Sequence, residues 1–175
     1  TVSGCGSATG TVDVSINSTP VTPTASVNNP VCVGDTLFLS ATSAGGATYS
    51  WTGPNTFTAN TQNPIIANVT ASANGTYTVI ANNGCASAPA TVTVAVSPTP
   101  AAPVAGSNSP LCVGSTLNLT ATNTGSTYNW SGPNTYTAAT ENTSITNVTS
   151  AAAGVYSVTA TSAVGCVSPT DTVNE

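Results

Sequence analysis

Apolar and polar residues alternate along several short segments of the chain, and this alternation predicts β-strands. Three residues of one segment fall on a single strand face: Leu37, Leu39 and Ala41. Phe38, which lies between them, falls on the opposite face, and we expect that face to meet solvent. The same period occurs later, at Tyr49 and Trp51 and again at Tyr77, Val79 and Ala81. Gly-Pro-Asn and Asn-Gly sequences between these segments supply turns, so the pattern predicts an all-β chain.

The predicted strands occur twice, in the same order. PVCVGDTLFLSATS at 30–43 recurs as PLCVGSTLNLTATN at 110–123, WTGPNTF at 51–57 recurs as WSGPNTY at 130–136, and GTYTV at 75–79 recurs as GVYSV at 154–158. The segment 4–16 aligns with 84–96, which adds the last part of a third copy. The repeat length is about 80 residues, and such a period is typical of stacked modules. We therefore expect a segment of a tandem array.

Proline-rich stretches separate the copies and divide the chain into five parts. These parts are the last strand of a preceding module at 1–16, a linker with a first edge strand at 17–29, a module at 30–97, a second linker with an edge strand at 98–109, and a second module at 110–175. The linker prolines favour extended backbone over a flexible coil. We place the two edge strands near 24–27 and 103–106 and expect the modules to form a semi-rigid rod.

Each copy has a strand with leucine, then a strand with tryptophan, then Gly-x-Tyr-x-Val. This order resembles the immunoglobulin domain, in which the tryptophan packs between two sheets and the tyrosine lies near the start of the penultimate strand. The resemblance implies tandem immunoglobulin-like β-sandwich repeats of about 80 residues. Eight residues are then expected in the two cores: Leu39, Trp51, Tyr77, Val79, Leu119, Trp130, Tyr156 and Val158. Leucine and valine stand where antibody domains have their cross-sheet cysteine pair.

The repeat motifs carry a closer resemblance. The opening PxCVGxTLxLxA, the middle YxWxGPN and the ending GxYxVxA followed by Gly-Cys look like the Ig-like or PKD-like repeats of giant bacterial cell-surface adhesins. Such repeats are common in proteins exported by the type IX pathway, including gliding-motility adhesins. The resemblance covers essentially the whole chain and implies an extracellular, multi-repeat protein of the bacterial cell surface without catalytic residues. The motifs specify a module and no particular ligand.

The five cysteines follow the repeat. Each full module has one cysteine before its second strand and one after its penultimate strand, which predicts the pairs Cys32–Cys85 and Cys112–Cys166. Each bond would close a loop of about 53 residues and stabilise a small core by about 4 kcal/mol in the chain-entropy model. Cys5 takes the position of Cys85 in an earlier copy, so we expect it to be unpaired or bonded to another module. Such disulfides place the protein in an oxidising, extracytoplasmic setting.

The composition excludes several classes of function. The chain has no Lys, Arg or His, so it lacks a basic surface for nucleic acid and most of the groups used in acid–base or phosphoryl-transfer catalysis. Its acidic residues do not recur between copies, and two cysteines per module cannot complete a zinc site. We therefore expect no enzyme activity, no cofactor and no metal.

Two further expectations concern the membrane and the chain ends. No segment approaches the length of a membrane span, so we expect no direct membrane insertion. A start within a strand-like segment and the absence of Met indicate a piece of a longer chain. Any export signal or anchor is then expected outside this piece.

The predicted function is a structural segment of an extracellular bacterial adhesin or surface filament. The segment acts as a disulfide-stapled spacer, and its partners are neighbouring repeats or identical protomers. One alternative is a self-assembling filament subunit that donates residues 1–16 as a strand to another copy. Another is a carbohydrate-binding module that stacks a surface glycan on Phe57 and Tyr136, although we favour these rings as lids over the core. Since bacteria with such repeats often O-glycosylate Asp-Ser/Thr motifs, the resemblance also makes Thr36 and Thr172 candidate glycosylation sites.

Overall fold

The chain folds into two β-sandwiches that follow one another in sequence. The computed structural model describes residues 4, 10–42, 44–122, 125 and 127–175, so Cys5 lies outside the described residues. The first sandwich contains the strands β1 (Ala25–Val27), β2 (Val31–Cys32), β3 (Leu37–Ala41), β4 (Thr48–Gly53), β5 (Phe57–Ala59), β6 (Ile65–Ile66), β7 (Gly75–Asn82), β8 (Ala90–Val94) and β9 (Val96–Ser97). The second contains β10 (Val104–Ser107), β11 (Leu117–Thr122), β12 (Thr127–Gly132), β13 (Tyr136–Ala138), β14 (Thr143–Ile145), β15 (Val155–Thr161) and β16 (Asp171–Asn174). The described part of the chain has no α-helix.

Both sandwiches have the same two sheets. In the first, one sheet has the strand order β1-β3-β6 and the other has the order β5-β4-β7-β8. In the second, the corresponding orders are β10-β11-β14 and β13-β12-β15-β16. All of these neighbours are antiparallel. This arrangement of a three-stranded and a four-stranded antiparallel sheet is that of an immunoglobulin-like sandwich.

The first sandwich has one additional strand pair. β2 and β9 run parallel, with Val31 opposite Val96 and Cys32 opposite Ser97. This pair closes the edge between the two sheets at the end where the chain leaves the sandwich.

The cores form where the alternation of apolar residues predicts them. β3 buries Leu37, Leu39 and Ala41 and exposes Phe38. The eight residues expected in the cores are all buried: Leu39, Trp51, Tyr77, Val79, Leu119, Trp130, Tyr156 and Val158. They belong to two separate clusters, one in each sandwich. The prediction of an all-β, immunoglobulin-like fold is confirmed.

A buried tyrosine fixes the corner of each sandwich. The hydroxyl of Tyr77 donates to the backbone carbonyl of Ala73 at 3.1 Å, and that of Tyr156 donates to Ala152 at 2.9 Å. A tyrosine at the start of the penultimate strand that bonds a few residues upstream is a hallmark of immunoglobulin-like sandwiches. Burial raises the pKa of both tyrosines, so these hydroxyls stay protonated and remain donors.

The tyrosine rings need a glycine on the neighbouring strand. A Cβ at Gly53 would lie 2.4 Å from Cδ1 of Tyr77, and one at Gly132 would lie 2.3 Å from Cδ1 of Tyr156. Real side chains do not approach this closely, so the ring occupies the volume that any larger residue would need. The Gly-Pro-Asn sequence therefore does more than turn the chain, because its glycine admits the core tyrosine.

The linkers contribute the first strand of each following sandwich. β1 lies within 17–29 and pairs with β3, while β10 lies within 98–109 and pairs with β11. These strands form close to the segments 24–27 and 103–106 that the sequence indicates. In the described part of the chain, no helix is long and apolar enough to cross a membrane.

Candidate functional site

A disulfide bond joins the two sandwiches. It links Cys32 on β2 of the first sandwich to Cys166, which lies in the loop between β15 and β16 of the second. The S–S distance is 2.10 Å, the Cα atoms are 5.7 Å apart, and the two residues are separated by 134 positions in sequence. Cys166 is completely buried and Cys32 is nearly so. This junction, with its surrounding residues, is the candidate functional site.

The bond corrects the predicted pairing of cysteines. Cys32 is not bonded to Cys85, and Cys166 is not bonded to Cys112; Cys85 and Cys112 are both free thiols. Each cysteine of the junction thus finds its partner in the other module rather than in its own.

The physical reason is the length of one strand segment. Cys32 lies beside Ser97 at the end where the chain leaves the first sandwich, whereas Cys85 precedes Ala90, where β8 begins at the opposite end. The seven residue-to-residue steps from Ala90 to Ser97 span about 23 Å at the usual strand rise. A disulfide requires Cα atoms within about 7 Å of each other, so these two cysteines cannot meet.

The backbone around the bond is held on both sides. Cys32 donates its amide to Oδ2 of Asp35 at 2.9 Å, and Cys166 donates its amide to Oγ of Ser162 at 3.1 Å. The carbonyl of Ser97 accepts a hydrogen bond from Val33 at 2.9 Å and lies 4.0 Å from the sulfur of Cys166. The strand end of one sandwich therefore meets the loop of the next through ordered backbone.

Glycine allows the loop to lie close to the first sandwich. Gly165 has a φ of +92°, a backbone conformation that residues with a Cβ rarely adopt. A Cβ at this position would also approach Cγ of Pro30 to 3.2 Å. The Gly-Cys sequence at 165–166 thus suits both the turn and the contact between modules.

The loop that carries Cys85 has the same construction as the loop of Cys166. Ser87 and Ser168 are buried and occupy equivalent positions after the two cysteines. Each serine amide donates to the preceding strand at 2.8 Å, from Ser87 to Ala81 and from Ser168 to Ala160. Each serine hydroxyl accepts from the same strand residue, at 3.0 Å and 2.9 Å respectively. The two loops therefore present their cysteines in the same way.

Cys85 also contacts the segment before its own module. Its sulfur lies 3.5 Å from the carbonyl oxygen of Asn17. The side-chain amide of Asn17 donates to the backbone carbonyl of Asn83 at 3.2 Å, and the side-chain amide of Asn83 donates to the backbone carbonyl of Ser18 at 3.0 Å. Asn17 aligns with Ser97 in the repeat, so this contact corresponds to the one between Cys166 and Ser97.

Cys112 lies at the mouth of an open groove. The groove has a volume of about 300 Å³, and its apolar lining includes Leu111, Leu117 and Val148. In the first sandwich Val96, which is only 6% exposed, covers the residue equivalent to Leu111. Cys112 itself is exposed.

The two aromatic candidates for sugar stacking pack against core tyrosines. Phe57 meets Tyr77 edge-on, with ring centroids 5.5 Å apart, and Tyr136 meets Tyr156 at 5.7 Å. The hydroxyl of Tyr136 shares a 2.6 Å hydrogen bond with Thr143. Both rings are half-buried. Phe38, which the sequence places on the solvent face of its strand, is 53% exposed on the outer face of β3.

The acidic residues stand apart from one another. Within the described ranges, no group of three or more His, Cys, Asp or Glu residues is placed to hold a metal ion. Asp171 accepts a hydrogen bond from the amide of Ala105 at 2.9 Å, which ties β16 to β10. This bond and one from the amide of Thr172 lower the pKa of Asp171. Of the two candidate glycosylation sites, Thr172 is exposed and Thr36 is half-buried.

The sequence of the first sandwich matches a known family. The family model described as immunoglobulin domain matches residues 15–94. The chain contains an immunoglobulin-like domain. Comparison with curated proteins gives no match.

Comparison with solved structures gives matches that cover most of this chain. Murine CEACAM1b is 15% identical, with 85% of this chain and 96% of that chain covered and a TM-score of 0.43. The human OSCAR ligand-binding domain is 14% identical, with 90% and 100% covered and a TM-score of 0.38. The three N-terminal domains of the bacteriophage RB49 outer capsid protein Hoc are 19% identical, with 87% and 59% covered and a TM-score of 0.43.

Sequence reasoning identified the cysteines of the junction but missed how they pair. The contact between the sulfur of Cys85 and the carbonyl of Asn17 was also missed. The sequence does contain a signal for the bond and for this contact. The residues before each linker and the residues after each Gly-Cys recur at the same positions of the repeat. Placing the Gly-Cys loop at the opposite end of the sandwich from the Pro-x-Cys strand requires the strand order, which the repeat alone does not give.

Proposed function

We propose that this chain is a structural segment of an extracellular bacterial adhesin or surface filament, in which immunoglobulin-like modules act as a disulfide-stapled spacer. The observation that carries this proposal is the bond between Cys32 and Cys166, because it joins consecutive modules rather than stabilising one of them. A bond of this kind serves the connection between modules. It has no evident use in a module that acts alone.

The bond also changes how tension passes through the chain. When the ends are pulled apart, force enters along the N-terminal segment, crosses the bond at Cys32 and leaves through the residues after Cys166. The backbone between these two cysteines bears no tension while the bond is intact. Such a spacer keeps its length even when a sandwich loosens, which suits a stalk that projects a functional tip.

The same bond supports an extracellular location. Disulfides persist in oxidising compartments, and immunoglobulin-like domains with disulfides are typical of secreted and extracellular proteins. The composition fits a cell surface exposed to proteases, since the absence of Lys and Arg leaves no site for trypsin-like enzymes. The resemblance of the repeats to bacterial adhesins supports the bacterial cell surface in particular.

Two measurements on intact producing cells test this role. Antibodies raised against the two sandwiches should label intact cells, without permeabilisation. Removal of one repeat, residues 30–109, from the full-length protein should shorten the surface projection by one module and leave the attachment of its tip intact. Labelling only after permeabilisation would contradict the surface location. Loss of tip binding with unchanged length would show that the modules bind a ligand themselves.

A filament subunit that donates a strand is a second candidate, and one observation favours it. The segment before the first sandwich exposes an alternating apolar row, with Val12 at 85%, Val14 at 80% and Ile16 at 92%. An exposed row of this kind is suited to pairing with the edge of another sandwich. Sedimentation of the purified chain tests this candidate, because donation predicts assemblies that grow with concentration, whereas a spacer remains a monomer under reducing conditions.

A further inference from the structure

We propose that the outer face of the four-stranded sheet in each sandwich binds a neutral glycan through a row of hydroxyl groups that crosses all four strands. This hydroxyl row consists of Thr58, Thr52, Thr78 and Thr91 in the first sandwich and of Thr137, Ser131, Ser157 and Thr172 in the second. The inference goes beyond the role as a spacer, because it gives each module a ligand of its own.

The register of the strands aligns these hydroxyls. Thr52 lies opposite Thr58 on one side and opposite Thr78 on the other. Thr78 in turn lies opposite Thr91. Neighbouring strands are about 4.8 Å apart, so the four side chains extend over about 14 Å in a line across the sheet. Trp51, next to Thr52, is completely buried, and the alternation along the strand therefore turns Thr52 to the outer face.

The repeat keeps a hydroxyl at each of the four positions. Ser131 takes the position of Thr52, so the methyl group is lost while the hydroxyl remains. An outward position beside the row changes in character, since Val155 takes the position of Thr76. Branched residues without a hydroxyl suit a strand as well as threonine does, so the preference for strand structure does not explain the hydroxyls.

The hydroxyls of the row are available to a ligand. All eight side chains are exposed or half-buried. In the part of the chain that the structure describes, none of these hydroxyls forms a hydrogen bond within the protein. Each hydroxyl offers one donor and two acceptor lone pairs. A ligand with hydroxyls of its own can use both, whereas an apolar ligand can use neither.

An open groove adjoins the hydroxyl row in the first sandwich. It has a volume of about 590 Å³, and its lining includes Ser50, Asn60, Ile80 and Asn82. Ser50 and Ile80 lie opposite each other, one outward pair along the strands from the row. The amides and hydroxyls of this lining can bond the polar groups of a sugar, and Ile80 offers an apolar surface to its C–H groups. The volume is in the usual range for small-molecule sites.

The charge of the surface favours a neutral ligand. The hydroxyl row and the lining of the groove contain only uncharged residues. The chain has no Lys, Arg or His to pair with an acidic sugar, and its net charge of -5 repels polyanions. Uncharged hydroxyls and amides therefore match a neutral glycan, whose own polar groups are mostly hydroxyls.

The presence of the row in both modules compensates for weak single contacts. A hydrogen bond at an exposed surface adds little affinity, so one row alone binds weakly. When one row holds a long polysaccharide, the other row meets the same polymer at a high effective concentration. We therefore expect polysaccharides to bind more tightly than their short fragments.

Affinity electrophoresis tests binding to particular polysaccharides. With a net charge of -5, the chain migrates in a native gel at neutral pH, and a polysaccharide embedded in the gel retards it if the two bind. The neutral probes are laminarin, mannan, xyloglucan and dextran, and the acidic probe is alginate. We expect retardation by at least one neutral probe and none by alginate. Unchanged migration with every neutral probe, or retardation by alginate as strong as by any of them, would overturn the proposal.

Matched variants test the position of the site. A fourfold variant removes the central hydroxyls of both rows with the substitutions Thr52→Val, Thr78→Val, Ser131→Ala and Ser157→Ala. We expect its dissociation constant for the retarding polysaccharide to be about tenfold higher or more. Thr76→Val is the control, because Thr76 is exposed on the same strand as Thr78 and the second sandwich carries Val155 at this position. Equal affinity of the fourfold variant and the parent, or an equal loss in the control, would refute the site.

A further variant separates the hydroxyl from the rest of the side chain. Thr52→Ser combined with Thr78→Ser reproduces the residues of the second sandwich and keeps both hydroxyls. This double variant should bind like the parent. Loss of binding in a double variant that unfolds at the same denaturant concentration as the parent would contradict the role of the hydroxyls.

The glycan site and the role as spacer fail in different ways. If no neutral glycan binds, the bond at Cys32 and the labelling of cells are unaffected, and the role as spacer stands. If labelling shows that the protein is inside the cell, binding by the purified chain still reports on the sheet face itself. Self-association of the purified chain that the fourfold variant abolishes would assign this face to a second copy and would overturn the glycan site.

Discussion

Breaking the bond between Cys32 and Cys166 should release a large hidden length when the chain is pulled from its ends. The bond encloses a sequence separation of 134 residues, and this segment cannot extend while the bond is intact. At about 3.5 Å per extended residue, the enclosed segment corresponds to about 470 Å of contour length. An oxidised chain should therefore show no unfolding step of the size of a whole module, because only the segments outside the bond can lengthen.

Single-molecule force spectroscopy measures this length directly. The chain carries handles at residues 1 and 175 and has Cys5, Cys85 and Cys112 replaced by serine, so that one bond remains. Reduction, or the variant Cys32→Ser, should add two module-sized steps whose combined contour length is about 470 Å. The oxidised molecule provides the matched control at the same loading rate.

A different result would refute the connection between modules. If the four cysteines that follow the repeat paired within modules, as their spacing alone suggests, each bond would enclose about 53 residues and hide only about 190 Å. In molecules that keep Cys85 and Cys112, reduction would then lengthen each module separately by that amount. Module-sized steps in the oxidised chain would likewise show that the bond does not carry the force.

Three substitutions test the stability of the sandwiches and its dependence on pH. Gly53→Ala should destabilise the first sandwich by about 1–3 kcal/mol in denaturant unfolding, because a Cβ there would lie 2.4 Å from the ring of Tyr77. Tyr77→Phe should cost about 1–2 kcal/mol, since it removes the hydroxyl that bonds the carbonyl of Ala73. Asp171→Ala should remove stability that the carboxylate provides through the amide of Ala105. Because the pKa of Asp171 is lowered in the folded state, this contribution is complete above the ordinary value of 3.8 and is lost as pH falls below it, so thermal unfolding of the variant and parent should converge in acid.

The chain offers a control for each of these substitutions. Gly10→Ala should have little effect, because no atom lies within 4 Å of a Cβ at Gly10. Tyr156→Phe should reproduce the loss in the second sandwich, where the same hydroxyl bond is present. Asp13→Ala changes the net charge by the same amount at an exposed position. If its stability depends on pH in the same way as that of Asp171→Ala, the effect comes from net charge and not from the hydrogen bond to Ala105.

Much of the fold follows from the sequence, because the period of the apolar residues fixes which residues are buried. Leu39 and Val79 are buried where antibody domains have cysteines, and the alternation of apolar residues is enough to predict this burial. The role of Gly53 beside Tyr77 does not follow in the same way, since a glycine before proline and asparagine already has an explanation as a turn residue.

The junction was less predictable because a repeat leaves the choice of partner open. Each module has one cysteine before its second strand and one in the loop after its penultimate strand. This pattern is equally compatible with a bond inside the module and with a bond between neighbouring modules. The choice depends on a distance along one strand, from the loop of Cys85 to the end of β9 beside Cys32. That distance comes from the register of the sheet and cannot be read from spacing in the repeat.

The bond at Cys32 has a consequence for twist as well as for length. A single peptide linker between two bodies lets each rotate about it almost freely, whereas a linker and a disulfide together attach the bodies at two separate points. Rotation about the long axis then requires deformation of a sandwich rather than a change in a few backbone torsions. A row of modules connected in this way would transmit torque from one end to the other, as a shaft does.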